Sequence, residues 1–336
     1  MASLDQHLEM GGTPPRQTLS AITTRCTIVA RFPKVVSLTA LSLGIVALLS
    51  QWMNDWQVDF VPAQIVLTVL AAFLPLLTSF MLERLTAAKP LVMGMSVHPE
   101  STSVWWDHAL DSAFGGLWPY ILGIILVIIG VPTIKWAGVP WSGGVLAIYY
   151  MSAAMILFLT GVAGWAFLRL LVLLHQLSGV RIKVLPFAWP QVEISAIHGM
   201  LMQVFVGGLL AYLLAVVGIW LSPGGAYFIA KGPVSLWVIP LAVTVVLFFV
   251  AVEYYIHVLM ERSKRERLRQ LAEVIQEKFS QWRQSGGKED AEAVTEVLKW
   301  REAVQSERSW PLDMVSMASV VVGVFVPAMK VLKDVI

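Results

Sequence analysis

The chain contains a single cysteine, Cys26, so it has no intramolecular disulfide and no cysteine-built metal or iron–sulfur centre. Charge is scarce as well. Asp, Glu, Lys and Arg make up 14% of 336 residues, against 57% hydrophobic residues and a mean hydropathy of +0.72, which excludes an ordinary soluble domain. Also missing are a P-loop, a dinucleotide fingerprint, an HExxH pair and a G-x-S-x-G elbow. No Ser, His and acid are spaced as an intramembrane protease would need, so no enzymatic activity and no cofactor are expected. The formal net charge of +2 carries no nucleic-acid signal, because the basic residues gather at the ends of apolar segments.

What the chain does have is a series of apolar segments of membrane length. The fold expected is all-α: a polytopic membrane helix bundle of about seven membrane segments with a cytoplasmic helical hairpin. Residues 1–33 read as a cytoplasmic N-terminal segment, polar at first, with a short surface helix over Thr18 to Arg31. It carries no cleavable signal pattern. Residues 34–260 read as six spans: Val35 to Met53, Phe60 to Leu82, Leu117 to Ile134, Val145 to Leu177, Ala196 to Leu221 and Leu236 to Leu259. Pro75 predicts a kink in the second span, and Glu83 with Arg84 is expected to end it. The fourth span is too long for a bilayer at ~1.5 Å per residue, so it should project into the cytoplasm.

Between the second and third spans, residues near 87–116 predict a short helix at the inner interface around Val104, Trp105 and Trp106. Asp107, His108 and Asp111 share that helix. A divalent metal needs a further ligand, and none is spaced to join them, so a solvated polar face is the reading preferred. Trp52, Trp56, Trp136, Trp141, Trp220 and Trp237 mark the outer boundaries, while Arg25, Arg31, Lys34, Arg181, Lys183 and Arg262 mark the inner ones. An integral protein of a bacterial inner (plasma) membrane with its N-terminus in the cytoplasm follows from the positive-inside rule.

Residues 261–310 hold the densest charge. Of the charged residues, 21 fall between Glu261 and Arg308. Leu268, Leu271, Ile275, Phe279 and Trp282 recur at helical spacing, Ser285-Gly286-Gly287 supplies a turn, and Val294, Val297, Leu298 and Val304 form a second apolar stripe. Two such stripes over so short a hairpin call for further partners, which makes a homo-oligomer the expected assembly.

Residues 311–336 are read as a C-terminal membrane helix, with Leu312 to Met329 as its apolar run. Asp313, Ser316, Ser319, Gly323, Pro327 and Lys330 follow at three- or four-residue spacing, a small or polar stripe that either packs closely against neighbouring helices or lines water as a pore. Inside the sixth span, Glu253 stands out as an ionisable group in apolar surroundings, with His257 one turn on. Arg169 on the long fourth span is the partner expected. The trio either forms a structural bridge near the helix ends or marks an ion or proton path, and Glu253 with His257 alone does not complete a metal site.

From Leu185-Pro186-Phe187 through the basic helical extension to Trp310-Pro311-Leu312-Asp313 and a terminal apolar helix, the order of features resembles a family of uncharacterised bacterial multi-span membrane proteins. The layout is similar also to insect chemoreceptor-type seven-helix channels, which end in a pore helix after a cytoplasmic helix. Their Tyr- and Gln-containing signature does not stand in Leu312 to Met329, and no residue role is carried over. A homo-oligomeric channel accounts for the small or polar terminal stripe and for the hairpin as an assembly element, with the lipid bilayer and further copies of the chain as partners and a ring of Asp313 that would favour cations. A non-conducting scaffold or sensor of a stress or defence system is the alternative. So is a small-solute transporter, although duplicated halves are not visible.

Overall fold

Long runs of Leu, Val, Ile and Ala, broken by few charges, can satisfy their backbone polar groups only internally, and in the computed structural model every regular element among the described residues is a helix. The structure describes residues 27–52, 61–136, 143–180, 191–221, 235–306 and 322. In chain order the helices are α1 (Ile28–Arg31), α2 (Pro33–Trp52), α3 (Val61–Met95), α4 (Pro99–Phe114), α5 (Trp118–Trp136), α6 (Gly143–Leu177), α7 (Gln191–Leu221), α8 (Ser235–Ser285) and α9 (Lys288–Ser306). Five of them, α2, α3, α6, α7 and α8, are long and apolar enough to cross a membrane, and α5 holds a shorter apolar stretch, Trp118–Pro132. The six lie where six apolar segments were expected, five of them at membrane-crossing length. The seventh, Leu312 to Met329, lies outside the described residues except for Val322, which is helical and exposed.

Helices α3 and α6 form the centre of the bundle. The first packs along α7, α2 and α6, the second along α5, α2, α3 and α8. Their shared core includes Leu77, Met81, Leu85, Leu170, Leu174, Val204 and Phe205, while the outward faces of α2 and α5 leave Leu38, Leu49, Ile124 and Ile128 exposed. Apolar side chains on the outside of an apolar helix are what a bilayer-facing surface requires, and they are consistent with an integral membrane protein. Small residues set the spacing. A Cβ on Gly161 would stand 2.5 Å from the Gly123 Cα, so α5 and α6 touch backbone to backbone there.

The second span does not stop at Glu83 and Arg84 as expected. Helix α3 continues for a further turn-and-a-half beyond Lys89, through Pro90, because its far end has tertiary partners: Leu85, Ala88, Val92 and Met95 are all buried. Arg84 lies over the Phe80 ring at 4.8 Å, so the charge is carried on the rim of the bundle without ending the helix. The interfacial helix predicted near 87–116 is α4, but it is anchored in the core. Trp106 is 1% exposed and donates its indole N–H to the Leu85 carbonyl at 3.2 Å. Trp105 donates to Gln176 Oε1 at 2.9 Å, and Lys89 Nζ meets Asp107 Oδ1 and Oδ2 at 2.7 Å each. Asp107 is thus an ion-pair partner. Of the predicted surface helix over Thr18 to Arg31, only α1 is described, and Thr27 N–H is bonded to the Phe114 carbonyl, so it is docked on the bundle.

Helix α8 runs unbroken for 51 residues, about 76 Å, from the apolar bundle into the hairpin. Gly286 has φ +61° and reverses the chain where the turn was predicted. Its N–H bonds to the Trp282 carbonyl, Ser285 Oγ bonds to Asp290 Oδ2, and α9 returns antiparallel along α8. Leu271, Val297 and Val304 form the hairpin core, packed by Leu268, Val274 and Ile275. Phe279, Trp282 and Leu298 remain exposed, so the two stripes are only partly covered by one another. The aromatic belt side chains and residues 53–60, 137–142, 181–190 and 222–234 lie outside what the structure describes.

Candidate functional site

Helices α7 and α8 are held face to face by rings. Phe205 sits 5.0 Å from Phe249 and 6.5 Å from Phe248, and Phe248 meets Phe167 of α6 edge to face at 5.2 Å. Toward the charged end of the pair, Ile194, Ile197 and Leu201 of α7 and Val252 and Ile256 of α8 are buried. That packing carries one acid into the contact. Glu253 is 1% exposed, and its Oε1 lies 2.8 Å from Nε2 of His198 on α7.

Glu253 is therefore buried, as its place in the sixth span suggested, but its partner is His198 and not Arg169. The Arg169 guanidinium lies over the Trp165 ring at 5.9 Å. His257 sits one turn along α8, and the hydrogen bond that the structure gives Glu253 is to His198. The sequence signal for His198 was simple: it is the one basic side chain in an otherwise apolar stretch of α7. On α6, His175 meets Tyr255 edge to face at 5.5 Å, and Tyr255 touches Tyr254.

The carboxylate is half satisfied. Oε1 has the imidazole, whereas Oε2 is fully buried with no hydrogen-bond partner. Leaving a buried oxygen of a charged group unpartnered costs roughly 1–3 kcal/mol or more, so this oxygen calls for a physical explanation. Just beyond the pair, α8 is tied to α6: Arg262 Nη1 donates to the Ser178 carbonyl at the C-terminal end of that helix.

Two cavities stand in the bundle apart from the pair. One, about 10 Å³, lies between α3, α4, α6 and α7, walled by Leu85, Trp106, Leu173 and Leu201 with Arg84 beside them. The other is an open crevice of about 430 Å³ on the far side of the bundle, walled by Leu43, Ile124, Val127, Met151, Ala154, Met155 and Phe158. Neither offers a polar passage. Among the described residues, no group of three His, Cys, Asp or Glu side chains stands close enough to hold a metal, and Asp107, His108 and Asp111 do not converge on one. The stripe Asp313, Ser316, Ser319, Gly323, Pro327 and Lys330 lies outside the described residues.

Compared with family models, with curated proteins and with solved structures, the chain matches none.

Proposed function

We propose that this chain is the subunit of a homo-oligomeric channel in a bacterial inner membrane, with its hairpin in the cytoplasm and its C-terminal segment lining a path between subunits. The observation that carries this reading is the apolar interior of the described bundle. An ion crossing a bilayer needs polar walls, and the two cavities described above are walled almost wholly by apolar side chains. The polar stripe of residues 313–330 is the segment with the composition for such a wall, and rotational symmetry would bring one copy of it from each subunit to a common axis. The orientation rests on the basic run Arg262 to Arg269 at the end of the apolar part of α8. Assembly rests on Phe279, Trp282 and Leu298, apolar side chains left exposed on the hairpin.

The experiment is conductance of the purified protein in planar bilayers, made with Ser316→Cys and Ser319→Cys in a Cys26→Ser background. A water-soluble thiol reagent should modify both positions and change the current. Current that persists with neither site modified would refute the lining role of that segment. A non-conducting sensor is the second reading, favoured by the continuity of α8 from Glu253 to the hairpin turn. A correctly assembled oligomer that passes no current under any tested ion gradient would select it.

A further inference from the structure

We infer that Glu253 and His198 together form a proton-binding site inside the apolar bundle, reached from the charged end of α7 through the imidazole. Three observations converge. The carboxylate is buried and its Oε2 has no partner. Its Oε1 is within hydrogen-bond distance of one imidazole nitrogen. The imidazole is the more accessible member, with its side chain 14% exposed against 2% for the acid.

The chemistry of the two charge states differs. With the acid ionised, Oε2 is an anionic oxygen without a donor in a low-dielectric contact. With one proton added, Oε1 donates to Nε2 and Oε2 becomes a carbonyl oxygen, whose lack of a partner is far less costly. Uptake balances simply. A proton bonds to Nδ1 of His198, the Nε2 proton passes to Oε1, and the pair gains one positive charge with no other bond broken. No metal and no further ligand is required.

The titratable and charged groups in the apolar parts of the packed elements are few. Helix α7 supplies Glu193, His198 and Tyr212; α6 supplies Tyr149, Tyr150, His175, set against Tyr255, and Arg169, set over Trp165; α8 itself supplies Tyr254, Tyr255 and His257 ahead of the charged run that starts at Glu261. Glu253 Oε1 shares its hydrogen bond with His198 of α7. Because α8 continues into the hairpin, a proton bound here acts on the same rigid element that carries the exposed assembly surface.

The test is infrared difference spectroscopy of the full chain in lipid, titrated from alkaline to acid pH. Wild type minus Glu253→Gln should show one protonated-carboxyl carbonyl band that grows on acidification, the exposed carboxylates cancelling between the two. His198→Gln, which keeps an amide donor but cannot relay a proton, should retain the band with a displaced midpoint. A difference spectrum without that band overturns the inference, and means that Oε2 is satisfied by water or remains empty. If Glu253→Gln does not fold, the His198→Gln titration decides alone, and an unchanged band and midpoint overturn the inference. Channel current plays no part in this readout, so loss of the channel reading leaves it standing.

Discussion

Gly161 on α6 faces Gly123 on α5 so closely that a Cβ on the first would meet the Cα of the second at 2.5 Å and its backbone nitrogen at 2.6 Å. The clash is with backbone, so it cannot be relieved by turning a side chain. Gly161→Ala should push the two helices apart and cost about 1–3 kcal/mol, the range for overpacking a filled interior. Gly164→Ala, three residues along with no atom within 4 Å, should be near neutral. Thermal unfolding of both variants in one detergent checks this, and equal midpoints would mean that the helices are not in backbone contact.

Lys89 and Asp107 tie the far end of α3 to α4, with the lysine side chain 11% exposed and the aspartate 37%. Asp107→Asn removes the charge that the half-buried ammonium faces, and it should destabilise the protein by about 1 kcal/mol. The Lys89→Met and Asp107→Asn double variant should lose less than the sum of the two. A double-mutant cycle showing strict additivity would remove this bridge from the contacts that hold α4 in place.

Gly286 reverses the hairpin with φ +61°, a conformation in which an alanine Cβ crowds the backbone at a cost of about 1–2 kcal/mol. Gly286→Ala should therefore raise hydrogen exchange along α9 in the full chain, and Gly286→Asn should restore much of the protection. Gly287→Ala meets only ordinary contacts at 3.5 Å and should leave exchange unaltered.

The Arg269 guanidinium, bonded to Glu266 at 2.7 Å, holds that carboxyl below its usual value, with Gln270 adding a further donor. A carboxyl with a folded-state pKa below its unfolded one adds stability that is present above the unfolded value and is lost as pH falls through the folded one. Acid titration followed by circular dichroism should therefore show hairpin helicity falling below the ordinary glutamate range, and falling less in high salt. Glu266→Gln should flatten that part of the curve. A variant that titrates like the wild type would separate Glu266 from hairpin stability.

The parts legible from sequence were those written locally. Apolar length placed the six helices, and 3.6-residue spacing with Ser285-Gly286-Gly287 placed the hairpin and its turn. The reading failed where a contact across the bundle decided the outcome. Hydropathy ended α3 at Glu83 and Arg84, yet Leu85, Ala88 and Val92 find buried partners and the helix goes on. Depth along two helices pointed Glu253 at Arg169, but depth says nothing of the direction in which a side chain leaves its helix, and His198 proved to be the one facing it. Trp105 and Trp106 looked alike as interface residues, although one is part-exposed and the other fills the core. Hairpin packing also redirects any assembly test. Leu271 and Val297 hold the hairpin itself together, so Phe279, Trp282 and Leu298 are the positions to alter.

Because α8 has no break between the apolar bundle and the turn at Ser285, the hairpin's compass bearing is locked to the bundle by helical phase. One residue inserted between Met260 and Leu268, where the bundle core ends and the hairpin core begins, would swing the hairpin by about 100° and lift it ~1.5 Å, whereas seven residues would return it to within about 20° of its first bearing. The faces that Phe279 and Trp282 present are in this sense set by the count of residues behind them, and a length change in α8 would re-aim them without altering any side chain.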